Sequence, residues 1–261
     1  MSAPIAVLTG ASGGIGEHIA KQLAERGYRL ILLGRDLDAL ARLQQTLPSA
    51  EPSYHIALQV DLAIDADIER VIDLINDIGR VDLLVNNAGV NTMRAFTALS
   101  KEQIDTTLAV NLRAPMLLSQ GLIPMLQRHN GVIVNIGSSF GAIGYPLQAH
   151  YCASKFALRG FSEALARELS DTHIAVKYFA PRATQTAINS DKVNELNKKL
   201  GNAMDTPEYV AQQFMQLLDS TERRRSVGAK ESFFAKVNAL WPNVVDNALA
   251  KQLATIKQSM R

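Results

Sequence analysis

Tyr151-Cys152-Ala153-Ser154-Lys155 is the segment of this sequence best equipped for chemistry. On a helix, residues four apart share a face, so Tyr151 and Lys155 project together. A free phenol titrates near about 10, a poor match to proton transfer at neutral pH. A neighbouring ammonium favours the phenolate and is expected to draw that value down, which would suit Tyr151 to general acid or base work. The pattern Tyr-x-x-x-Lys is common by itself, and its plain alternative is an amphipathic helix face. Cys152, the single cysteine, points off the shared face and has no base at fixed spacing, so it is not expected to be a nucleophile. His150 either lines a substrate mouth or is an ordinary loop histidine. The five histidines are scattered, without i, i+4 pairing or partner cysteines, so no metal site is expected.

A second chemical feature is Thr9-Gly10-Ala11-Ser12-Gly13-Gly14-Ile15-Gly16. It joins an apolar run, Ile5–Thr9, to a helical pattern from Ile15 to Arg26. Glycines there let the backbone turn tightly and let a pyrophosphate approach the helix N-terminus, where free N–H groups and the macrodipole favour an anion. Gly10, Ser12, Gly14, Ile15 and Gly16 are the candidate cradle. Strand, glycine turn and helix in that order give the pattern its weight.

The elements that must position these groups alternate along the chain. Strands are expected at Ile5–Thr9, Arg29–Leu33, His55–Val60, Val81–Val85, Gly131–Ile136 and Ile174–Phe179. Helices are expected at Leu37–Leu47, Ala66–Ile78, Leu112–Arg128, Tyr151–Leu169 and Pro207–Leu218. Continuous apolar strands separated by helices predict an α/β doubly wound parallel sheet, a Rossmann fold, covered on both faces. With 261 residues and no internal linker, one domain is expected. We divide it into residues 1–222, the dinucleotide-binding and catalytic part with a lid at about 184–202, and residues 223–261, a C-terminal helical extension packed on the same domain. A formal net charge of +2 offers no footprint for nucleic acid. The chain starts without a basic, cleavable leader pattern, and no window of about 18 residues is apolar enough to span a bilayer, so a cytoplasmic protein is expected.

Taken together, these motifs resemble the short-chain dehydrogenase/reductase family, through about residue 186. Asn86-Asn87-Ala88-Gly89 looks like the family's motif supporting the sheet near the adenosine, with Asn87, Ala88 and Gly89 beside the cofactor. Asp61-Leu62 looks like its adenine-contacting pair. Ser138 stands at the spacing of the family's serine, whose hydroxyl holds the substrate carbonyl oxygen; Ser139 is its rival, and spacing favours Ser138. Asn111 resembles the asparagine that helps hold a water in a proton relay to the lysine, although asparagine also caps helices. The resemblance implies that Lys155 binds the nicotinamide ribose. It also implies a homodimer or homotetramer through the helices near Leu112–Arg128 and Tyr151–Leu169.

The second strand bears on the cofactor. An acid there would bind the ribose hydroxyls of NAD, but Leu32-Leu33-Gly34-Arg35 has Gly34 where the acid would sit. Arg35 offers a planar fork to a 2′-phosphate, so NADP(H) is expected. Asp36 more naturally caps the next helix. The expected activity is hydride transfer between NADP(H) and a small-molecule carbonyl/secondary alcohol pair. The alternatives are a non-catalytic NADP(H)-binding regulator and a nicotinamide-recycling epimerase or dehydratase.

One departure stands out. The family commonly has Pro-Gly-x-x-x-Thr after the sixth strand to receive the nicotinamide amide; here it is Pro181-Arg182-Ala183-Thr184-Gln185-Thr186. Thr184 and Thr186 remain candidate cofactor contacts. Arg182 is either strained in a glycine's place or meets an anionic group on substrate or cofactor. Ile188, Val193, Leu196 and Leu200 recur at near-helical spacing, giving a face that either closes over a hydrophobic substrate or packs on the domain. Beyond Arg223-Arg224-Arg225, an aromatic and aliphatic stripe broken by Pro242 is expected to pack on the core or a partner subunit rather than lie on a membrane surface.

Overall fold

The computed structural model describes residues 3–49, 54–186 and 191–260. The strands β1 (Ile5–Thr9), β2 (Arg29–Gly34), β3 (Ile56–Gln59), β4 (Leu83–Asn86), β5 (Val132–Ile136), β6 (Ala175–Ala180) and β7 (Arg224–Ser226) form one sheet in the order β3-β2-β1-β4-β5-β6-β7. Every pairing is parallel. The chain runs from β1 outward to β3, then returns to β4 beside β1, so the strand ends diverge at that reversal and open a crevice there.

Alternate strand residues feed two separate cores. Leu8 and Leu32 face one side with α1 (Gly14–Glu25), α2 (Leu37–Thr46) and α8 (Pro207–Asp219); Ile19, Leu23, Leu40 and Phe214 fill that layer. Val7, Ile31 and Leu84 face the other side with α3 (Asp65–Ile78), α5 (Ala114–Arg128) and α6 (Ala149–Glu168), through Val71, Leu118 and Leu165. Burial on both faces is why the strands read as continuous apolar runs. Lys177 is the charged exception on β6. Its ammonium donates to Leu217 O at 2.8 Å and Ser220 O at 2.5 Å, where a cation suits the C-terminus of α8.

Two elements were not expected from the sequence. A helix α4 (Lys101–Leu108) follows β4, started by a reciprocal capping box between Ser100 and Gln103. It runs through a π turn at Ala109–Arg113 into α5. Arg224 and Arg225 of the basic run enter the sheet with Ser226 as the edge strand β7, pairing Tyr178 with Arg224 and Phe179 with Arg225. Charged side chains on an exposed edge discourage pairing with another chain. Beyond α7 (Asp191–Lys199), the last two helices are α9 (Ala229–Leu240) and α10 (Pro242–Ser259), with Pro242 opening the second. Among the described residues no helix is long and apolar enough to cross a membrane.

Candidate active site

The crevice is a cavity of about 810 Å³. Gly10, Ser12, Gly14, Ile15, Gly16, Arg35, Asp61, Leu62, Asn87, Ala88, Gly89, Ser138, Tyr151, Lys155, Thr184 and Thr186 all line it. Asn111 does not reach its wall.

At one end lies the glycine loop. Gly13 caps α1 and has no side chain to spend on its first N–H groups, which suits them to an anion. Gly16 is required by close approach: a Cβ there would stand 2.2 Å from Gly10 O. The Thr186 methyl packs over Gly14, bringing the β6–α7 loop onto the glycine loop. Thr9, which sequence reasoning passed over, ties the next strand in. Its Oγ1 accepts from Asn87 N and Ala88 N, both at 2.9 Å, while Asn87 Nδ2 donates to Thr9 O at 2.9 Å and Gly10 O at 3.0 Å. Asp61 Oδ1 accepts from Ala63 N at 2.9 Å, which fixes the turn after β3.

Arg35 is exposed at the cavity mouth and, among the described residues, carries no ion pair. Asp36 is spent on α2, accepting from Ala39 N at 2.9 Å, as expected. A Cβ at Gly34 would lie 3.4 Å from Ser12 Oγ, an ordinary contact beside the glycine loop. A helix end without a side-chain cap, opening on the glycine loop, fits the phosphates of a nicotinamide dinucleotide.

At the other end, the first turns of α6 place Tyr151 and Lys155 on the wall, each almost fully buried. Lys155 Nζ lies 5.8 Å from the Tyr151 ring centroid and donates to Ile136 O at 2.9 Å. The expectation that the ammonium draws the phenol down is not met. Burial pushes Tyr151 up to about 12, against a lowering hydrogen bond from Ser138, with Tyr178 and Cys152 adding to the rise. The same burial pushes Lys155 down to about 8. Desolvation penalises both charged forms and outweighs their mutual attraction across this separation. Ser138, rather than Ser139, is the serine that acts to lower the Tyr151 titration, and its Oγ accepts from Phe140 N at 3.1 Å.

Asn111 sits one layer back, in the π turn. Its amide is fully committed: Oδ1 accepts from Val90 N at 2.8 Å, and Nδ2 donates to Val90 O at 2.9 Å and Ser154 Oγ at 3.1 Å. It therefore locks the segment after Gly89 to α6. A π turn displaces backbone carbonyls from their usual partners, a recurrent arrangement at functional sites. Behind the sheet ends, Asn86 Nδ2 donates to Asn135 Oδ1 at 2.8 Å and Asn135 Nδ2 to Ser162 Oγ at 2.9 Å. This buried relay pins α6 to β4 and β5. His150 is buried rather than cavity-lining, and Cys152 is a buried thiol pushed up by desolvation. Among the described residues no cluster of His, Cys, Asp and Glu could hold a metal ion.

The family model for short chain dehydrogenases matches residues 4–197. The chain belongs to the short-chain dehydrogenase/reductase family. It is 34% identical over 220 residues to carbonyl reductase family member 4 of Danio rerio, covering 83% of this chain and 91% of that protein. It is 35% identical over 224 residues to a 3-oxoacyl-[acyl-carrier-protein] reductase of Bos taurus, with the same coverage of 83% and 91%. A metagenomic short-chain oxidoreductase solved in complex with NADP superposes with a TM-score of 0.72 at 30% identity, covering 87% of this chain and 97% of that one.

Within this short-chain dehydrogenase/reductase, Arg182 resolves in a way neither expectation anticipated. Among the described residues the non-glycine positions with positive φ are Asn130 and Leu147, so Arg182 is not strained. Its Nε and Nη2 meet both oxygens of Asp205 at 2.8 and 2.6 Å, and Nη1 lies 3.5 Å from Glu231. The anion it meets is the chain's own. Apolar lining comes from Met93 and Ile143, from Val193, Leu196 and Leu200 around α7, and from Phe234, Val245 and Leu249 of the last two helices, with polar Asn197, Lys230, Glu231 and Gln252 among them. Ile188, the first position of the expected lid face, lies outside the described residues. The tail's apolar stripe is split: Val245 and Ile256 are buried, whereas Phe233, Leu240, Trp241 and Val244 are exposed.

Proposed function

We propose that this short-chain dehydrogenase/reductase interconverts a carbonyl and a secondary alcohol with NADP(H), as a ketone or aldehyde reductase for a hydrophobic substrate. The observation that carries the proposal is that Ser138, Tyr151 and buried Lys155 line the same cavity as the glycine loop. The bound dinucleotide would supply or accept the hydride. Gly10, Ser12, Gly14, Ile15 and Gly16 would hold its pyrophosphate, Asp61, Leu62, Asn87, Ala88 and Gly89 its adenosine side, and Thr184 and Thr186 its nicotinamide side. Arg35 would take the 2′-phosphate, and a relative of this fold is solved with NADP.

Ser138 would hold the substrate oxygen while negative charge gathers there. Tyr151, kept protonated at neutral pH by burial, is placed to donate to that oxygen in reduction and to take the proton back in oxidation. Lys155 would bind the ribose and pass the proton onward, with Asn111 positioning the relay from behind. Exposed Met116 on α5 and Phe156 on α6 suit the homo-oligomer that the family resemblance implies.

The test is an NADPH-oxidation screen over ketones and aldehydes graded by chain length and ring number, with Tyr151→Phe as control. Turnover should fall at least about 10²-fold in the variant while NADPH affinity holds. Retained turnover would sink the assignment. Product formed without matching NADPH consumption would indicate a nicotinamide-recycling enzyme instead.

A further inference from the structure

Among the described residues, the polar ties from α9 and α10 to the rest of the molecule are few. Asn238 Nδ2 donates to Ala142 O at 3.0 Å, and Glu231 pairs with Arg182. Arg182 is the hub. It leaves the end of β6, grips Asp205 just ahead of α8, and reaches Glu231 in the first turn of α9. The three side chains are only 21%, 7% and 23% exposed. Asp205 is itself fixed by its backbone, its N–H donating to Ala183 O at 2.9 Å and its carbonyl accepting from Gln185 N at 3.0 Å. Gly228 turns the chain into α9 against this cluster: its φ is 96°, and a Cβ there would stand 2.2 Å from Glu231 Oε2 and 2.9 Å from Arg182 Cδ. The turn fits only because the residue is glycine. Arg182 and Glu231 line the cavity themselves, and downstream of that point Phe234, Val245 and Leu249 add apolar lining from the last two helices.

We propose that Arg182 is a positioning residue that sets substrate length: by clamping Asp205 and Glu231 it seats the C-terminal helix pair at a fixed distance across the cavity. The inference rests on the proposed carbonyl reduction for its substrate and on the ion cluster for its mechanics. A half-buried arginine between two carboxylates is sensitive to loss of any member, because the survivors stay buried without compensation. The wall would then be held by Asn238 alone among those ties.

The test compares wild type with Arg182→Gly, Arg182→Lys and Glu231→Gln on straight-chain 2-alkanones of increasing length, with NADPH. In Arg182→Gly, KM for the ketone best used by wild type should rise about tenfold while kcat changes less, with the preferred length moving to longer chains. Glu231→Gln should move the profile in the same direction with smaller effect, and Arg182→Lys should restore part of it. Tryptic cleavage within α9, at Lys230 and Lys236, should quicken in Arg182→Gly and Glu231→Gln and be faster at high salt in wild type. Length profiles superimposable on wild type in both Arg182→Gly and Glu231→Gln would overturn the proposal, and if Arg182→Gly does not fold, Glu231→Gln alone decides. If wild type reduces no carbonyl, the proposed function fails. The clamp then stands or falls on whether cleavage quickens.

Discussion

Lys155 donates to the Ile136 carbonyl at 2.9 Å while its ammonium sits 5.8 Å from the centre of the Tyr151 ring, so the cation is anchored to a strand end beside the phenol rather than bonded to it. The titrations follow from that arrangement. Lys155 is depressed from 10.5 to about 8 by burial, so between about 8 and 10.5 the unfolded chain binds the proton that the fold has lost. Stability should therefore rise with pH through that window and be lost as pH falls through about 8. Tyr151, raised from 10.0 to about 12, acts oppositely: above 10 the unfolded chain sheds its proton first and stability declines. Lys155→Met removes the first effect. Its melting temperature relative to wild type should be highest near pH 7 and converge towards wild type by pH 10, with each kcal/mol shifting Tm by about 2–4 °C. A difference independent of pH would count against burial as the cause.

Arg35→Ala should lower the ratio of kcat/KM with NADPH to that with NADH by about tenfold or more, the worth of a charge-assisted phosphate contact. Steady-state kinetics with both cofactors on one carbonyl substrate checks this. An unchanged ratio would remove Arg35 from cofactor choice.

Asn135→Ala deletes the middle of the buried Asn86–Asn135–Ser162 relay and strands polar groups on β4 and α6. The loss should be about 2–4 kcal/mol, seen as a Tm lower by roughly 5–15 °C in calorimetry. A shift under about 2 °C would mean that the relay holds little.

Cys152 is buried, and desolvation pushes its thiol up. Native protein should react with iodoacetamide at pH 8 at least about tenfold more slowly than unfolded protein, and Cys152→Ala should keep turnover within about twofold. Fast labelling accompanied by inactivation would contradict the picture of an inert packing residue.

Much of this was legible from residue types. The alternation of Val7 with Leu8 and Ile31 with Leu32 hid inside runs that are apolar throughout, yet that continuity itself announced a sheet covered on both faces. Spacing placed Tyr151, Lys155, Ser138 and the glycine loop on one cavity. Four things were not legible. β7, Arg224–Ser226, is two arginines and a serine, so nothing in its composition marks it as a strand; only the neighbouring β6 supplies its partner. Helix α4 did carry a signal, the Ser100-x-x-Gln103 capping box, with too few apolar positions behind it to stand out. The direction of the Tyr151 shift depended on desolvation, a property of the packed surroundings that spacing along one helix does not contain. Arg182 found its acids at 205 and 231, too distant in sequence for any local pattern to join them.

The polypeptide comes back to the sheet for three residues at β7 before departing into α9 and α10. The scaffold that carries the tyrosine and lysine is thus completed one strand ahead of the helices that add lining to the crevice. Insertions, deletions or grafts downstream of residue 228 can be tried without touching a single ladder hydrogen bond. Selection, or an engineer, can in this way retailor which molecules fit while leaving the chemistry of the crevice as it was.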